Sequence, residues 1–114
     1  MMMEDTEHYS PLTHTGIAEF SKHFPSGEHI VRGKDGEEYT VAMLHQLRCL
    51  DIVRDAFVNG SGIGPLTRHC LNYLRQSILC LADTRLEPVI VSFSSDYVCS
   101  DWEALYDAID EPLV

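Results

Sequence analysis

Two stretches of the chain repeat apolar residues at the three- and four-residue spacing that is typical of one buried helical stripe. The first, residues 41–58, contains no glycine or proline. Its apolar positions are Leu44, Leu47, Leu50, Val53 and Phe57. The second, residues 65–83, begins at Pro65, a favoured first helical position, directly after a glycine-rich stop. Its apolar positions are Leu71, Leu74, Ile78 and Leu81. The spacing predicts two long helices whose apolar side chains pack in the core.

Shorter elements flank these helices. Residues 29–32 and 38–41 are β-prone runs on either side of a Gly-Lys-Asp-Gly sequence, which predicts a hairpin. Residues 89–93 form a β-branched extended segment able to join that hairpin. Ser100 and Glu103 fit a capping box at the start of a short helix over about residues 101–109. The predicted fold class is therefore α+β and rich in helix, with two long central helices.

A chain of 114 residues is long enough for one compact domain. Residues 1–26 mix His, Pro, Gly, Thr and acidic residues, with only a short helical possibility over residues 16–23. We therefore predict an N-terminal arm over residues 1–26 and a single domain over residues 27–114.

The charge balance excludes several function classes. Eight Lys and Arg against eighteen Asp and Glu give a net charge of −10, which repels a nucleic-acid backbone and an anionic membrane surface. No apolar run approaches the roughly 20 residues that span a bilayer. The N-terminus lacks the basic and then apolar pattern of a secretory signal. We expect no nucleic-acid partner, no membrane segment in this sequence, and a cytoplasmic location for the sequence as it stands.

Four cysteines, at positions 49, 70, 80 and 99, form no Cys-x-x-Cys pair. Two disulfides would have three alternative connectivities, and free buried thiols are an equally good interpretation. The cysteine pattern leaves these alternatives open.

A six-residue pattern, Cys-Leu-[Asp/Asn]-x-[Val/Leu]-Arg, occurs on each predicted long helix, starting at Cys49 and at Cys70. His45 precedes the first cysteine by one helical turn and lies on the same face, and His69 precedes the second cysteine directly. Thiolate and neutral imidazole are ligands that copper and zinc prefer. These four side chains are the candidate metal ligands.

Three segments together resemble the UstYa-like family of fungal oxidases. They are residues 41–50, residues 69–88, which run from His-Cys-Leu-Asn to Leu-Glu-Pro, and residues 99–103. The resemblance covers roughly residues 39–106. It implies oxidative cyclisation, desaturation, hydroxylation or halogenation of a peptide or other small natural product in fungal secondary metabolism, with copper as the expected metal. The family's usual N-terminal membrane anchor is not in this sequence. If such an anchor has been removed from it, the expected location becomes the lumen of the secretory pathway.

The family hallmark, His-x-x-His-Cys in two copies, is incomplete here in both. The first copy reads His45-Gln-Leu-Arg48-Cys49, and the second reads Leu66-Thr-Arg-His69-Cys70. The resemblance therefore carries a metal-binding role only to His45, His69, Cys49 and Cys70. Arg48 and Leu66 cannot bind a metal.

Three functions follow from these residues. In a copper-dependent oxidase, His45 and His69 bind the metal, and Cys49 and Cys70 are either further ligands or a clamping disulfide. In a metal-independent cyclase, pericyclase, dehydratase or isomerase, His45 and His69 act as general acid and base, Arg48 stabilises a developing oxyanion, and Tyr73 orients the substrate. The third alternative is an inactive partner subunit of a homologous oxidase.

The predicted helices also constrain how the two histidines meet. In a plain antiparallel hairpin, His45 and His69 would lie at opposite ends of rods about 25 Å long. A shared ion would then require helices that cross steeply, or a dimer in which His45 of one subunit approaches His69 of the other. We therefore predict a homodimer, or a heterodimer with a homologue.

Overall fold

A computed structural model describes residues 1–4, 6–23, 30–60, 62–87, 89, 94–96 and 98–110. The described elements, in chain order, are β1 (Met2–Glu4), α1 (His14–Ser21), β2 (Ile30–Arg32), β3 (Glu38–Thr40), α2 (Ala42–Asn59), α3 (Pro65–Leu81), β4 (Ser94–Asp96) and α4 (Trp102–Asp110). The predicted α-rich α+β class is confirmed.

The chain groups into two compact units. One consists of His8–Thr84 and contains the hairpin and the two long helices, while the other consists of Met1–Glu7 together with Arg85–Val114. In the second unit β1 pairs antiparallel with β4, with Met3 opposite Ser95. The predicted boundary between an arm and a domain near residue 26 stays a prediction.

The predicted hairpin is confirmed by the antiparallel pairing of β2 with β3, in which Val31 lies opposite Tyr39. The turn closes where the Gly33 amide donates to the Glu37 carbonyl at 2.9 Å. Gly36 adopts a φ of 81°, in the left-handed region that only glycine enters without strain. The Gly-Lys-Asp-Gly sequence therefore forms the turn that its composition predicts.

The two long helices are confirmed, with ends that differ from the predicted ends by at most two residues. Helix α2 ends at Asn59, and the next residue, Gly60, has a left-handed φ of 61°, the conformation in which glycine commonly stops a helix. α3 starts at Pro65, whose missing amide proton costs nothing in the first turn. It stops at Leu81, because Ala82 turns into the left-handed region.

The predicted core is only partly formed. Among the described residues, the buried apolar side chains are those of Leu44, Cys49 and Cys70. Phe57 is 77% exposed and Ile78 is 70% exposed, although both belong to the predicted stripes. The prediction that all these side chains pack in the core is wrong, because helical spacing shows which residues share a face and not what covers that face.

Helix α1 contacts α2 through aromatic and charged side chains. The Thr13 hydroxyl accepts a hydrogen bond from the Gly16 amide at 2.9 Å and so caps α1. The Arg54 guanidinium on α2 lies 5.6 Å from the centre of the Phe20 ring, and its Nε donates to Asp51 at 2.8 Å. The first 26 residues thus include a capped helix that contacts α2.

At the other end of the chain, the short helix is confirmed as α4 but its predicted cap is wrong. The Asp101 carboxylate accepts from the Ala104 amide at 3.0 Å, so the capping residue is Asp101 and not Ser100. The predicted extended segment over residues 89–93 lies outside the described residues except for Val89, which is not in a strand. Within the described parts of the chain, no helix is long and apolar enough to cross a membrane.

Candidate active site

A disulfide between Cys49 and Cys70 joins α2 to α3 at the point where both side chains are about 1% exposed. Their Cα atoms are 4.8 Å apart. Neither sulfur is a thiolate in this bond, and the thiolate is the form that binds metals. The structure therefore corrects the alternative in which Cys49 and Cys70 are metal ligands, and it agrees with the alternative in which they clamp the helices together.

Beside this disulfide, three aromatic rings from the two helices lie close together and nearly parallel. The ring centres of His45 and His69 are 6.1 Å apart, with an angle of 23° between the ring planes. Tyr73 stacks on His45 at 3.8 Å between ring centres and lies 6.4 Å from His69. The two candidate imidazoles thus meet within one chain, with Tyr73 as the third member of the cluster.

The position of the disulfide explains why the histidines meet. Cys49 lies ten residues before the end of α2, whereas Cys70 lies only five residues after the start of α3. The helices are therefore not aligned end to end as in the plain hairpin considered above. Because His45 is one turn before Cys49 and His69 is next to Cys70, the disulfide brings both near the same point. A second subunit is not needed for their convergence.

Burial differs among the three rings. His45 and Tyr73 are partly buried, while His69 is exposed. The backbone carbonyl of Tyr73 accepts a hydrogen bond from the Ser77 hydroxyl at 2.8 Å, an interaction within α3 one turn further along. Two of the rings are thus partly covered by the protein, and the third remains open to an ion or a substrate.

The separation of the two imidazole ring centres lies at the upper limit for a shared metal ion. A metal about 2.0 Å from one nitrogen of each ring lies about 3 Å from each ring centre, so the centres are at most about 6 Å apart. The observed 6.1 Å is at this limit. Imidazole suits copper, zinc, iron and nickel. Among the described residues, however, no three His, Cys, Asp or Glu side chains are grouped to bind a metal, so a bound ion would need further ligands from outside this group.

The histidines of the N-terminal region do not complete such a set in the described structure. Nδ1 of His8 lies 2.6 Å from a carboxylate oxygen of Glu19. His23 stacks on Tyr9 at 5.3 Å between ring centres. His14 is exposed at the start of α1, and His29 lies outside the described residues.

Arg48 lies on the exposed surface of α2, three residues after His45 and therefore within one helical turn of it. This places it on the part of α2 that carries the site. Its predicted role in stabilising an oxyanion stays a prediction.

The repeated pattern also has a structural meaning that the sequence did not reveal. In the first copy Arg54 donates to Asp51, and in the second Arg75 donates to Asn72 at 2.9 Å. Arg75 further lines a groove on α3 together with Arg68, and this groove was not predicted. The helical spacing of positions 68, 71, 72 and 75 is the signal that could have found it.

Comparisons with known proteins agree with the resemblance noted in the sequence. Residues 8–107 match the family described as "Mycotoxin biosynthesis protein UstYa". The chain is similar to a protein named "Oxidase ustYa" from Aspergillus flavus, with 29% identity over an alignment of 80 positions that covers 57% of this chain and 37% of that protein. The chain therefore spans little more than a third of the length of this curated relative. No solved structure matches.

Proposed function

We propose that this chain, which belongs to the UstYa family of mycotoxin biosynthesis proteins, takes part in the oxidative modification or cyclisation of a peptide or other small natural product. In this proposal His45 and His69 bind a copper ion. The observation that supports it is the approach of these two imidazoles to 6.1 Å between ring centres within one chain. The name of the Aspergillus flavus relative, an oxidase, supports the redox character.

Copper, when bound, supplies one-electron chemistry with dioxygen. The residues of the chain then have distinct roles. His45 and His69 would hold the ion through ring nitrogens, and the stack of Tyr73 on His45 limits rotation of that imidazole. The disulfide fixes the separation of the two helices that carry these rings. The exposed side of His69 is where a substrate can approach.

The disulfide also bears on where the protein works. Disulfides persist in oxidising compartments and are rare in the cytosol. The disulfide supports a proposed location in the lumen of the secretory pathway, in preference to the cytoplasmic location expected from the sequence as it stands. A heterodimer with a complete homologue is compatible with this location, as is a homodimer.

A second candidate function is a metal-independent cyclase, pericyclase, dehydratase or isomerase. It is favoured by the small number of possible metal ligands, because the described site offers two imidazoles and one phenol. Imidazole nitrogens can both donate and accept protons, so His45 and His69 can act as general acid and base without a metal. Arg48, within one turn of His45, is the candidate for stabilising negative charge.

Metal analysis distinguishes these functions. The wild-type chain and the His45→Ala and His69→Ala variants are prepared without a histidine tag, loaded with copper and desalted. His14→Ala serves as the matched control, since His14 is an exposed histidine on α1. We expect the wild type and the control to retain copper and the two site variants to lose it. Equal copper content in all four proteins would contradict the proposal, and activity that survives strict chelation would establish the second candidate instead.

A further inference from the structure

A shallow, open groove of about 460 Å³ runs along the first turns of α3 and shares no lining residue with the histidine cluster. It is lined by Ile63, Arg68, Leu71, Asn72 and Arg75. Four of these residues occupy one face of α3, because positions 68, 71, 72 and 75 follow helical spacing. Ile63 comes from the preceding connection, where Gly60 and Gly62 have left-handed φ values of 61° and 75° that turn the chain.

The charge of the groove is opposite to that of the chain. The protein has eight cationic side chains and eighteen acidic ones, so an arginine should readily find a carboxylate. Arg54 forms an ion pair with Asp51, and Arg32 forms one with Glu38. Within the described residues, Arg68 and Arg75 have no carboxylate partner, and the bond that Arg75 makes is to the neutral amide of Asn72. Two guanidinium groups without a carboxylate partner among the described residues therefore line one groove.

The lining specifies the kind of ligand. Guanidinium groups recognise carboxylates and phosphates through charge-assisted hydrogen bonds. The amide nitrogen of Asn72 adds a further donor, since the oxygen of this side chain already accepts from Arg75. Between the two arginines lies the side chain of Leu71, which is 43% exposed, and Ile63 is 67% exposed. An anionic group attached to an apolar body matches this combination, whereas a bare inorganic anion would leave the apolar part unused.

The groove residues and the histidine cluster lie on the same turns of α3. Arg68 directly precedes His69, and Asn72 directly precedes Tyr73. Consecutive residues of a helix differ by about 100° in direction, so the row formed by Arg68 and Asn72 lies about a quarter turn around α3 from the row formed by His69 and Tyr73. A molecule that occupies both rows can have its charged end held at one and its reacting part at the other.

We propose that this groove is the substrate subsite for a carboxylate group carried on an apolar organic body. This inference rests on the proposed function, because only that function makes the bound carboxylate part of the substrate. The binding of a carboxylate by Arg68, Asn72 and Arg75 can nevertheless be measured without any metal or reaction. Failure of the copper proposal and failure of the groove proposal can thus be told apart.

The test uses octanoate as the probe and octanamide as its neutral analogue of equal length. Both are titrated into the oxidised 114-residue chain, and binding is followed through NMR signals of the arginine Nε–H and asparagine amide groups. We expect octanoate to bind more tightly than octanamide. Replacing both arginines (Arg68→Gln and Arg75→Gln) should weaken octanoate binding about tenfold, as expected for losing charge-assisted hydrogen bonds, and leave octanamide unchanged.

Two controls define the outcome. Arg32→Gln removes an exposed arginine from the hairpin and should leave octanoate binding unchanged. The His45→Ala variant should also bind octanoate as the wild type does, whatever its copper content. The proposal is overturned if octanoate and octanamide bind equally, if the double variant binds octanoate as tightly as the wild type, or if inorganic phosphate displaces octanoate better than acetate does at equal ionic strength.

Discussion

At the scale of single residues, the contact between Tyr73 and His45 has the shortest ring-to-ring distance in the candidate site, 3.8 Å between centres. A stacked aromatic pair contributes about 0.5–1.5 kcal/mol beyond the area it buries. Its main effect here is on orientation, because the flat face of Tyr73 leaves His45 fewer ways to rotate. We therefore predict that Tyr73 positions a candidate ligand through its ring and not through its hydroxyl group.

Substitutions at Tyr73 separate the ring from the hydroxyl. We expect Tyr73→Phe to keep the affinity for copper and the upfield shift of the His45 ring protons, because the stack is preserved. Tyr73→Ala should remove that shift and weaken copper binding by about two- to tenfold. Competition titration with a copper chelator measures the affinity, and proton NMR measures the shift. Equal losses in the two variants would show that the phenol oxygen itself is the functional group.

A second residue-scale prediction concerns the hairpin turn. The Asp35 carboxylate accepts hydrogen bonds from the Glu37 amide at 3.0 Å and from the Tyr39 hydroxyl at 2.9 Å. Both bonds lower the pKa of Asp35 below its usual 3.8, and the bond from the Glu37 amide has the larger effect. The bond between Tyr39 and Asp35 also raises the pKa of Tyr39 above 10.0.

The direction of the pH effect follows from these two shifts. The stabilisation from Asp35 is fully present above pH 3.8 and is lost as the pH falls through its lowered pKa. The stabilisation from Tyr39 is present below pH 10.0 and is lost as the pH rises through its raised pKa. NMR titration of the Asp35 carboxyl carbon should show a midpoint below 3.8, and Tyr39→Phe should move it only part of the way back, because the Glu37 amide remains. A wild-type midpoint at or above 3.8 would refute this description of the turn.

At the scale of elements, the disulfide decides how α2 and α3 meet. It joins residues 21 positions apart, and closing a loop of that length stabilises a folded chain by about 3 kcal/mol through the entropy of the unfolded state. Among the described residues, Leu44 is the one buried apolar side chain besides the two cysteines, and the other contacts between the helices come from partly buried side chains. We infer that the crosslink contributes substantially to the free energy that holds the two helices together.

Removal of the crosslink tests this inference. The double variant Cys49→Ser, Cys70→Ser should lose about 3 kcal/mol of unfolding free energy in denaturant titrations. Cys80→Ser is the matched control, because Cys80 is an exposed thiol outside the disulfide, and it should change stability little. If the double variant unfolds at the same denaturant concentration as the wild type, packing and not the crosslink holds the helices.

The elements also show what local sequence can and cannot predict. The three- and four-residue spacing, together with Gly60 and Pro65, was sufficient to locate α2 and α3, because helix formation and helix ends depend on nearby residues. The exposure of Phe57 and Ile78 could not be predicted this way. Burial depends on which other surface covers a helix face, and that information lies in residues distant along the chain.

At the scale of the whole molecule, the sequence predicted which residues form the candidate site but not how the fold brings them together. The repeated pattern and the family resemblance identified His45 and His69. Their convergence depends on where α2 and α3 touch, which the Cys49–Cys70 link determines and which the cysteine pattern alone left open. The groove between Arg68 and Arg75 was missed because each arginine, taken singly, looks like an ordinary surface charge.

The oligomeric state is also a property of this scale. The dimer was predicted as one way to bring the two imidazoles together, and the single chain already does so. The homodimer therefore stays a prediction that this site no longer requires. The chain also spans only 37% of the length of its curated relative. The binding of copper and the class of substrate therefore stay proposals for this protein.

The central claim is that His45, His69 and Tyr73 form one cluster within a single oxidised chain. Nuclear Overhauser contacts between the carbon-bound ring protons of these residues, measured on a monomeric sample, test it most directly. We predict a strong contact between His45 and Tyr73 and weaker contacts from His69 to both, all diminished after reduction of the disulfide. Assigned ring signals with no contact among the three residues in the oxidised monomer would contradict the account.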